Sequence, residues 1–366
     1  MRPSTYYDTI AAGFSSVQVP VRGDFLLVSS RRGAASSAAA QVRSFMSGRC
    51  RSVEIEGRPT LNNIRRLLPN VGQPHTVVAL GGGSVIDAAK VVAFASTQID
   101  GSAWFERWQQ GGRLDVPARL MPNIVAIPTL IGSGAEVTSF ATIWLDDRKL
   151  SLEHPQLKPE RVICSAANLE GLAYAPALFA ALDAFSHALE AIWNRNATSG
   201  SDIAAGQSLS RLAQLLPQFR PDAPLLPMDD LFDISMSSGT AIAITRTALA
   251  HSMSYPLTCE LDIPHGLACS FALPEVARFN LSVGQIRLQP AAHALGCSTK
   301  ELPQTIARLY DGSGLNALAR RYLPRDAVDR VKGSMADGVR STNNLRSATE
   351  SQARCLARSA ISRIWA

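Results

Sequence analysis

The sequence lacks most of the features that would mark it as something other than an ordinary globular protein. Its six cysteines (Cys50, Cys164, Cys259, Cys269, Cys297 and Cys355) lie far apart, with no CxxC pair. That spacing argues against a cysteine zinc site and for reduced, mostly buried thiols rather than a disulfide framework. No apolar run is long and clean enough for a bilayer span: the longest, Leu172 to Trp193, is interrupted by Asp183, His187 and Glu190. The opening MRPSTYYDTIAAGF has one Arg and no long apolar core, so a secretory signal is not expected and the cytoplasm is the expected address. Aromatics make up only 6% of the chain and do not interleave with its scattered arginines. The net charge of +6 is therefore read as a solvated, Arg-rich surface, with no nucleic-acid partner and no membrane. There is no internal repeat and no low-complexity tract.

What is present is 366 residues, 46% hydrophobic and 18% charged, which is room for two domains with cores of their own. In the first half, Asp24–Ser29, Thr76–Leu80 and Asn123–Ile127 are short apolar runs between breakers, as buried parallel strands should be. Ala34–Met46 and Ser84–Ala95 between them have helical composition, so the alternation predicts a doubly wound α/β domain. After about residue 170 no period-2 strand pattern is found. Ala/Leu-rich segments at 176–194, 201–216, 229–255 and 300–321 predict an all-helical domain instead, with a loop punctuated by Pro217, Pro221, Pro224 and Pro227. The expected division is 1–170, an α/β domain, and 171–366, an all-helical domain.

Two loops carry the cofactor expectation. The run TVVAL enters Gly81-Gly82-Gly83-Ser84 and then a helix-like stretch. Glycines let the backbone turn sharply and approach a ligand, and a helix start offers unpaired N–H groups to a phosphate. Ser84 with Asp87 three residues on reads as a capping box. A plain tight turn is the alternative. After NIVAI come Pro128-Thr129 and then Gly132-Ser133-Gly134-Ala135-Glu136-Val137-Thr138, again at the carboxyl end of a strand. Two such loops side by side suit a dinucleotide better than a single phosphate.

In ALDAFSHALEAIW, Asp183 and His187 are four apart and so share a helix face. His251 and His265 follow in the same half, while His75, His154 and His293 are taken as non-ligands. Carboxylate and imidazole donors suit Fe(II), Zn(II) or a similar ion. Singly, each of these histidines is more readily a satisfied core or loop residue than a ligand.

The motifs GGGSVIDAAK (81–90), PTLIGSGAEVT (128–138), LDAFSHALEA (182–191) and HSMSYPLTCELDIPHG (251–266), in this order and spacing, resemble the iron-containing (group III) alcohol dehydrogenases. The resemblance implies a Rossmann-like dinucleotide-binding domain followed by a helical domain, the architecture shared with dehydroquinate synthase. It implies an NAD(P)-dependent aldehyde reductase with Asp183, His187, His251 and His265 as ligands of Fe(II), or alternatively Zn(II). Family members are commonly homo-oligomers, while nothing in the sequence marks an interface. Within the family, KLSLEHPQLKP (149–159), AIWNRNAT (191–198) and IPHGLAC resemble the phosphonoacetaldehyde reductases, which make 2-hydroxyethylphosphonate in phosphonate natural-product pathways. A neutral aldehyde or polyol substrate is the nearest rival, a dehydroquinate-synthase-like cyclase the next, and a metal-free cofactor-binding relic the last.

Some positions depart from the family pattern. Tyr255 stands where many members have a second His four residues past the third ligand, and it is the candidate proton donor if its helix continues that far. Ser165-Ala166 replaces Asp-Pro, and Ala181 replaces a Gly. The first strand ends in Ser30-Arg31-Arg32 rather than an acid, which favours NADPH, with NADH as the second choice. For a phosphonate, Arg246, Arg195 and Lys149 are the candidate cations. Arg246 ranks first because it shares a predicted helix with His251. Lys149 is also counted among the cofactor-binding positions, with Gly81, Gly82, Gly83, Ser84, Asp87, Thr129, Ser133, Thr138, Ser30 and Arg31.

Overall fold

The computed structural model describes residues 6–9, 23–45, 48–57, 59–98, 103–110, 121–145, 148–169, 172–220, 228–336 and 338–366. Pro221, Pro224 and Pro227, and the opening segment apart from 6–9, lie outside the described residues. The chain divides into two compact units, Met1–Leu130 with Ala135–Gly171, and Ile131–Gly134 with Leu172–Ala366.

The first unit is built on a six-stranded parallel sheet. Its strands are β1 (Tyr6–Thr9), β2 (Phe25–Ser29), β3 (Cys50–Glu54), β4 (Thr76–Gly81), β5 (Asn123–Pro128) and β8 (Arg161–Cys164), in the order β1-β8-β5-β4-β2-β3. A separate antiparallel hairpin is formed by β6 (Phe140–Leu145) and β7 (Arg148–Glu153). Every residue of β2 and β4 is buried. Leu26, Val28, Val77 and Ala79 pack on one side, and Phe25, Leu27, Val78 and Leu80 on the other. Burial on both faces is why these strands read as unbroken apolar runs rather than alternating ones. Helices α1 (Arg31–Ala34), α2 (Ser37–Phe45), α3 (Leu61–Leu67), α4 (Gly83–Ala95) and α5 (Ala103–Gln109) connect the strands. The chain runs from β2 outward to β3, then returns to place β4 on the other side of β2. The carboxyl ends of β2 and β4 therefore flank the topological switch point, where open α/β sheets bind ligands.

The second unit is helical, with no strand among its described residues. It holds α6 (Tyr174–Ile192), α7 (Ser199–Leu215), α8 (Met228–Thr245), α9 (Leu249–Leu261), α10 (His265–Ser270) and α11 (Leu273–Leu281), and ends on the helix Glu350–Trp365. Two glycines set its packing on α6. A Cβ at Gly132 would lie 2.1 Å from Ala180 O, and one at Gly266 would lie 1.8 Å from Phe179 O. Only residues without side chains admit these approaches.

Three sequence expectations need correction. The segment 229–255 is not one helix: it breaks after Thr245, where Arg246 adopts φ 66° and its carbonyl accepts from Asn194 Nδ2 (3.1 Å) and Thr245 Oγ1 (2.9 Å). The expected helix over 300–321 likewise breaks at Ser313–Gly314, between Leu302–Gly312 and Leu315–Tyr322. The thiols are less buried than expected: none of the six cysteines is in a disulfide, and of the six only Cys164 and Cys269 are buried.

Candidate metal centre and phosphate cradle

At the switch point, Gly81 ends β4 and Gly82 caps α4 with no side-chain bond. The expected capping box is therefore not formed. Ser84 is exposed in the first helical turn, and Asp87 is engaged elsewhere: its Oδ2 accepts Thr142 N–H (2.9 Å) and its Oδ1 lies 3.7 Å from Lys90 Nζ. Gly82, Gly83 and Ser84 leave the helix start accessible, and Thr129 sits beside them, its N–H donated to Gly81 O (3.1 Å). Ser30 follows β2 and caps α1 by accepting Gly33 N–H (3.1 Å), and Arg31 beside it is exposed. A Cβ at Gly33 would lie 2.9 Å from Leu80 O, so the Ser30 turn and the glycine turn lie against each other.

The second glycine loop serves differently. Ile131–Gly134 belongs to the helical unit, and Gly132 donates its N–H to Ser235 Oγ (2.7 Å). Thr138 is buried, and both its carbonyl and its hydroxyl accept from the buried Lys90 Nζ (2.9 and 3.0 Å). Its hydroxyl is thus committed inside the unit and does not present itself as a cofactor contact. Lys149 lies on β7 with its Nζ 4.9 Å from the Trp144 ring.

In the helical unit, α6 presents Asp183 and His187 on one buried face. Asp183 Oδ1 is 3.6 Å from His187 Nε2, 3.4 Å from His251 Nε2 and 3.9 Å from His265 Nε2. The rings of His187 and His251 stack with centroids 4.7 Å apart. Each imidazole is aimed from behind. His187 Nδ1 meets Gly132 O at 3.0 Å; a carbonyl only accepts, so Nδ1 carries the proton and Nε2 offers its lone pair. His251 Nδ1 meets Glu190 Oε2 at 2.7 Å, which leaves Nε2, buried and without a hydrogen bond, facing Asp183. A carboxylate behind a histidine is the usual support of a metal-binding imidazole.

The electrostatics agree with the geometry. Burial alone would push the Asp183 carboxyl up, yet the surrounding imidazoles of His187, His251 and His265 hold it well below the carboxylate range. Burial lowers His187 to about 4, so it is neutral and able to coordinate at neutral pH. At His251 burial works against charge, but Glu190 and Asp183 outweigh it and raise the imidazole. A positive charge is favoured at this point. One carboxylate and three convergent imidazole nitrogens, one of them the buried His251 Nε2 without a hydrogen bond, fit a divalent cation.

Two profiles of known proteins match. Iron-containing alcohol dehydrogenase matches residues 17–166, and the C-terminal region of the Fe-containing alcohol dehydrogenase family matches 178–317. The phosphonoacetaldehyde reductase of Streptomyces viridochromogenes is 33% identical over 71% of this chain and 68% of its own length. The chain belongs to the iron-containing alcohol dehydrogenase family. The probable alcohol dehydrogenase EutG of Escherichia coli is 32% identical over 60% of this chain, which spans 55% of that relative's length. Among solved structures, the sulfoacetaldehyde reductase of Bifidobacterium kashiwanohense in complex with NAD+ shares the fold, with a TM-score of 0.80, 20% identity and coverage of 99% of this chain and 98% of that one. This alcohol dehydrogenase chain accordingly pairs a parallel α/β unit with an all-helical one, and none of its described helices is long and apolar enough to cross a membrane.

Tyr255 does lie one turn beyond His251, because α9 continues through Pro256 to Leu261, and Arg340 places its guanidinium 4.8 Å from the Tyr255 ring. Arg246 is not on that helix. It sits in the break before α9, while exposed Arg195 follows α6 and donates its backbone N–H to Asn343 O (2.8 Å). Two residues of the centre escaped the sequence. Glu190 was noticed only as a charge interrupting an apolar run, although its position three residues after His187 put it on the same helix face. Cys269 lies four residues after His265, and its Sγ is 3.3 Å from Asp183 Oδ1.

Proposed function

We propose that the chain is a metal-dependent, NAD(P)H-linked reductase of a small aldehyde carrying an anionic group, phosphonoacetaldehyde, giving 2-hydroxyethylphosphonate in phosphonate biosynthesis. The observation that carries the reductase reading is the convergence of His187, His251 and His265 on one buried oxygen of Asp183. The substrate reading rests on the 33% identity to the phosphonoacetaldehyde reductase.

Asp183, His187, His251 and His265 would hold the ion, Fe(II) in the first instance. A divalent ion there supplies Lewis acidity toward a carbonyl oxygen, and a reduced nicotinamide supplies the hydride. The chain's own groups do the positioning. Gly132 O and Glu190 fix the His187 and His251 rings with Nε2 forward. The α4 start, with Gly82, Gly83, Ser84 and Thr129, takes the cofactor pyrophosphate on its N–H groups. Ser30 offers no carboxylate to the ribose hydroxyls and Arg31 is beside it, which favours NADPH. Tyr255 Oη, one turn from His251, passes a proton to the product oxygen, directly or through water. Arg246 and Arg195 are the cations assigned to the anionic group.

The similarity to EutG supports a second reading, in which the same machinery reduces a neutral aldehyde. Cofactor oxidation with phosphonoacetaldehyde and a panel of neutral aldehydes separates the two. A kcat/KM for phosphonoacetaldehyde well above all others is expected; equal or better turnover of acetaldehyde and propionaldehyde overturns the phosphonate.

A further inference from the structure

The metal centre contains one more donor than the histidine and carboxylate pattern announces. Helix α10 begins at His265, and Cys269 is four residues later, so one face of this single turn-and-a-half presents both an imidazole and a thiol. Cys269 is buried. Its Sγ lies 3.3 Å from Asp183 Oδ1, the same oxygen that His187, His251 and His265 face. One donor atom from each of Asp183, His251, His265 and Cys269 lies within 4.8 Å of all the others. His187 stands at the edge of this group, 3.6 Å from the shared oxygen and held from behind by Gly132 O.

We propose that Cys269 is a further metal donor of this centre, so that a thiophilic ion such as Zn(II) or Co(II) is bound through sulfur in addition to Asp183, His187, His251 and His265. This rests on the metal-centre reading above and adds a ligand to it. Cys269 Sγ is within hydrogen-bonding distance of Asp183 Oδ1 and of Gly266 O (3.5 Å), and a cation between sulfur and carboxylate would take the place of the single thiol proton when that proton is donated to Asp183. Binding exchanges that proton for the metal: the S–H bond breaks, the S–metal bond forms, and the proton is released to solvent. The buried Nε2 of His251, without a hydrogen bond, faces the same oxygen and is a second, independent sign of a ligand at this spot. A set containing sulfur is softer than one of nitrogen and oxygen alone. It biases the centre toward zinc and cobalt relative to the all-N/O set of the same fold.

The test is the electronic spectrum of the full chain loaded anaerobically with Co(II), for wild type, Cys269→Ser and Asp183→Asn. The expected result is a set of visible ligand-field bands together with an intense near-ultraviolet sulfur-to-cobalt charge-transfer band. Cys269→Ser loses the charge-transfer band and keeps ligand-field bands. Ligand-field bands without the charge-transfer band in wild type overturn the role of Cys269 and leave the metal centre standing. No Co(II) bound, or binding unchanged in Asp183→Asn, overturns the metal centre itself. X-ray absorption of the zinc-loaded wild type needs no variant: a sulfur shell near about 2.3 Å supports the proposal, and a shell of only nitrogen and oxygen near about 2.0 Å contradicts it.

Discussion

Glu190 holds two things at once: its Oε2 lies 2.7 Å from His251 Nδ1, and the same carboxylate accepts the backbone N–H groups of Ala248 (2.8 Å), Ala250 and His251 (3.2 Å). Helix α9 has no side-chain cap of its own at Ala248, so a carboxylate from α6 does that work. The start of the helix and the aim of its imidazole are fixed by one buried group.

Two substitutions at this position should therefore differ. Glu190→Ala strands three buried N–H groups and should cost several kcal/mol, at about 1–3 kcal/mol for each. Glu190→Gln still accepts from Ala250 and His251 N–H but sets its amide N–H groups against Ala248 N–H and His251 Nδ1–H. It should cost less stability than Glu190→Ala while weakening metal affinity about 10–100-fold. Thermal melts and metal titrations of the two variants check this; equal metal affinity in wild type and Glu190→Gln contradicts it.

Gly132→Ala should be among the most damaging single changes in the helical unit. Its backbone φ is 111°, and the new Cβ would meet Ala180 O at 2.1 Å. The loop must then move, taking with it the carbonyl that orients His187. We expect a lowered melting temperature and weakened metal binding together. An unaltered metal affinity would show that His187 is not held through this loop.

Arg246 occupies a left-handed backbone conformation, φ 66°, in the break between α8 and α9. Glycine adopts that conformation freely, whereas alanine retains a strain of about 1 kcal/mol. Arg246→Gly is thus the cleaner removal of the guanidinium. Its expected effect is a rise in KM for phosphonoacetaldehyde larger than for a neutral aldehyde, with stability unchanged or improved. An equal rise for both substrates sinks the clamp.

The strands at the switch point and the i, i+4 pair Asp183/His187 were legible because period and burial are local properties of the chain. The break at Arg246 was not. Nothing in Ile-Thr-Arg-Thr-Ala signals a stop, and the bend is imposed by tertiary partners, Asn194 on the Arg246 carbonyl and Glu190 on the next N–H groups. The second glycine loop looked like another cradle because Gly132 and Gly134 have the same composition as Gly81–Gly83. Composition does not say whether a close approach is to a phosphate or to another helix. Cys269 was passed over for lack of a CxxC partner, although it repeats from His265 the four-residue spacing that drew attention to Asp183 and His187.

On the proposed reading, Ser30 is the position that sets cofactor choice. Aspartate there preserves the cap on Gly33 N–H while introducing the carboxylate that hydrogen-bonds ribose hydroxyls and repels a 2′-phosphate. Ser30→Asp should swing the ratio of kcat/KM values toward NADH. An unchanged ratio would place the adenosine ribose elsewhere.

Lys90 gives the α/β unit a pH dependence. Burial lowers its ammonium to about 8 from 10.5, partly offset by Asp87 and Glu136. Between those two values the unfolded chain binds more protons than the folded one, so stability rises with pH across that window. Relative to Lys90→Met, the wild type should gain up to about 3 kcal/mol on going from pH 8 to pH 10.5. Urea denaturation of both proteins across this range checks it, and parallel stability curves would contradict it.

The most direct test of the account is anaerobic NADPH oxidation with phosphonoacetaldehyde after the protein is stripped by chelator and reloaded with Fe(II) or Zn(II), in wild type and Asp183→Asn. The account predicts no turnover when stripped, recovery on reloading in wild type, and none in Asp183→Asn. Full activity in the stripped protein, or recovery in Asp183→Asn, would contradict a metal-dependent reductase centred on that carboxylate.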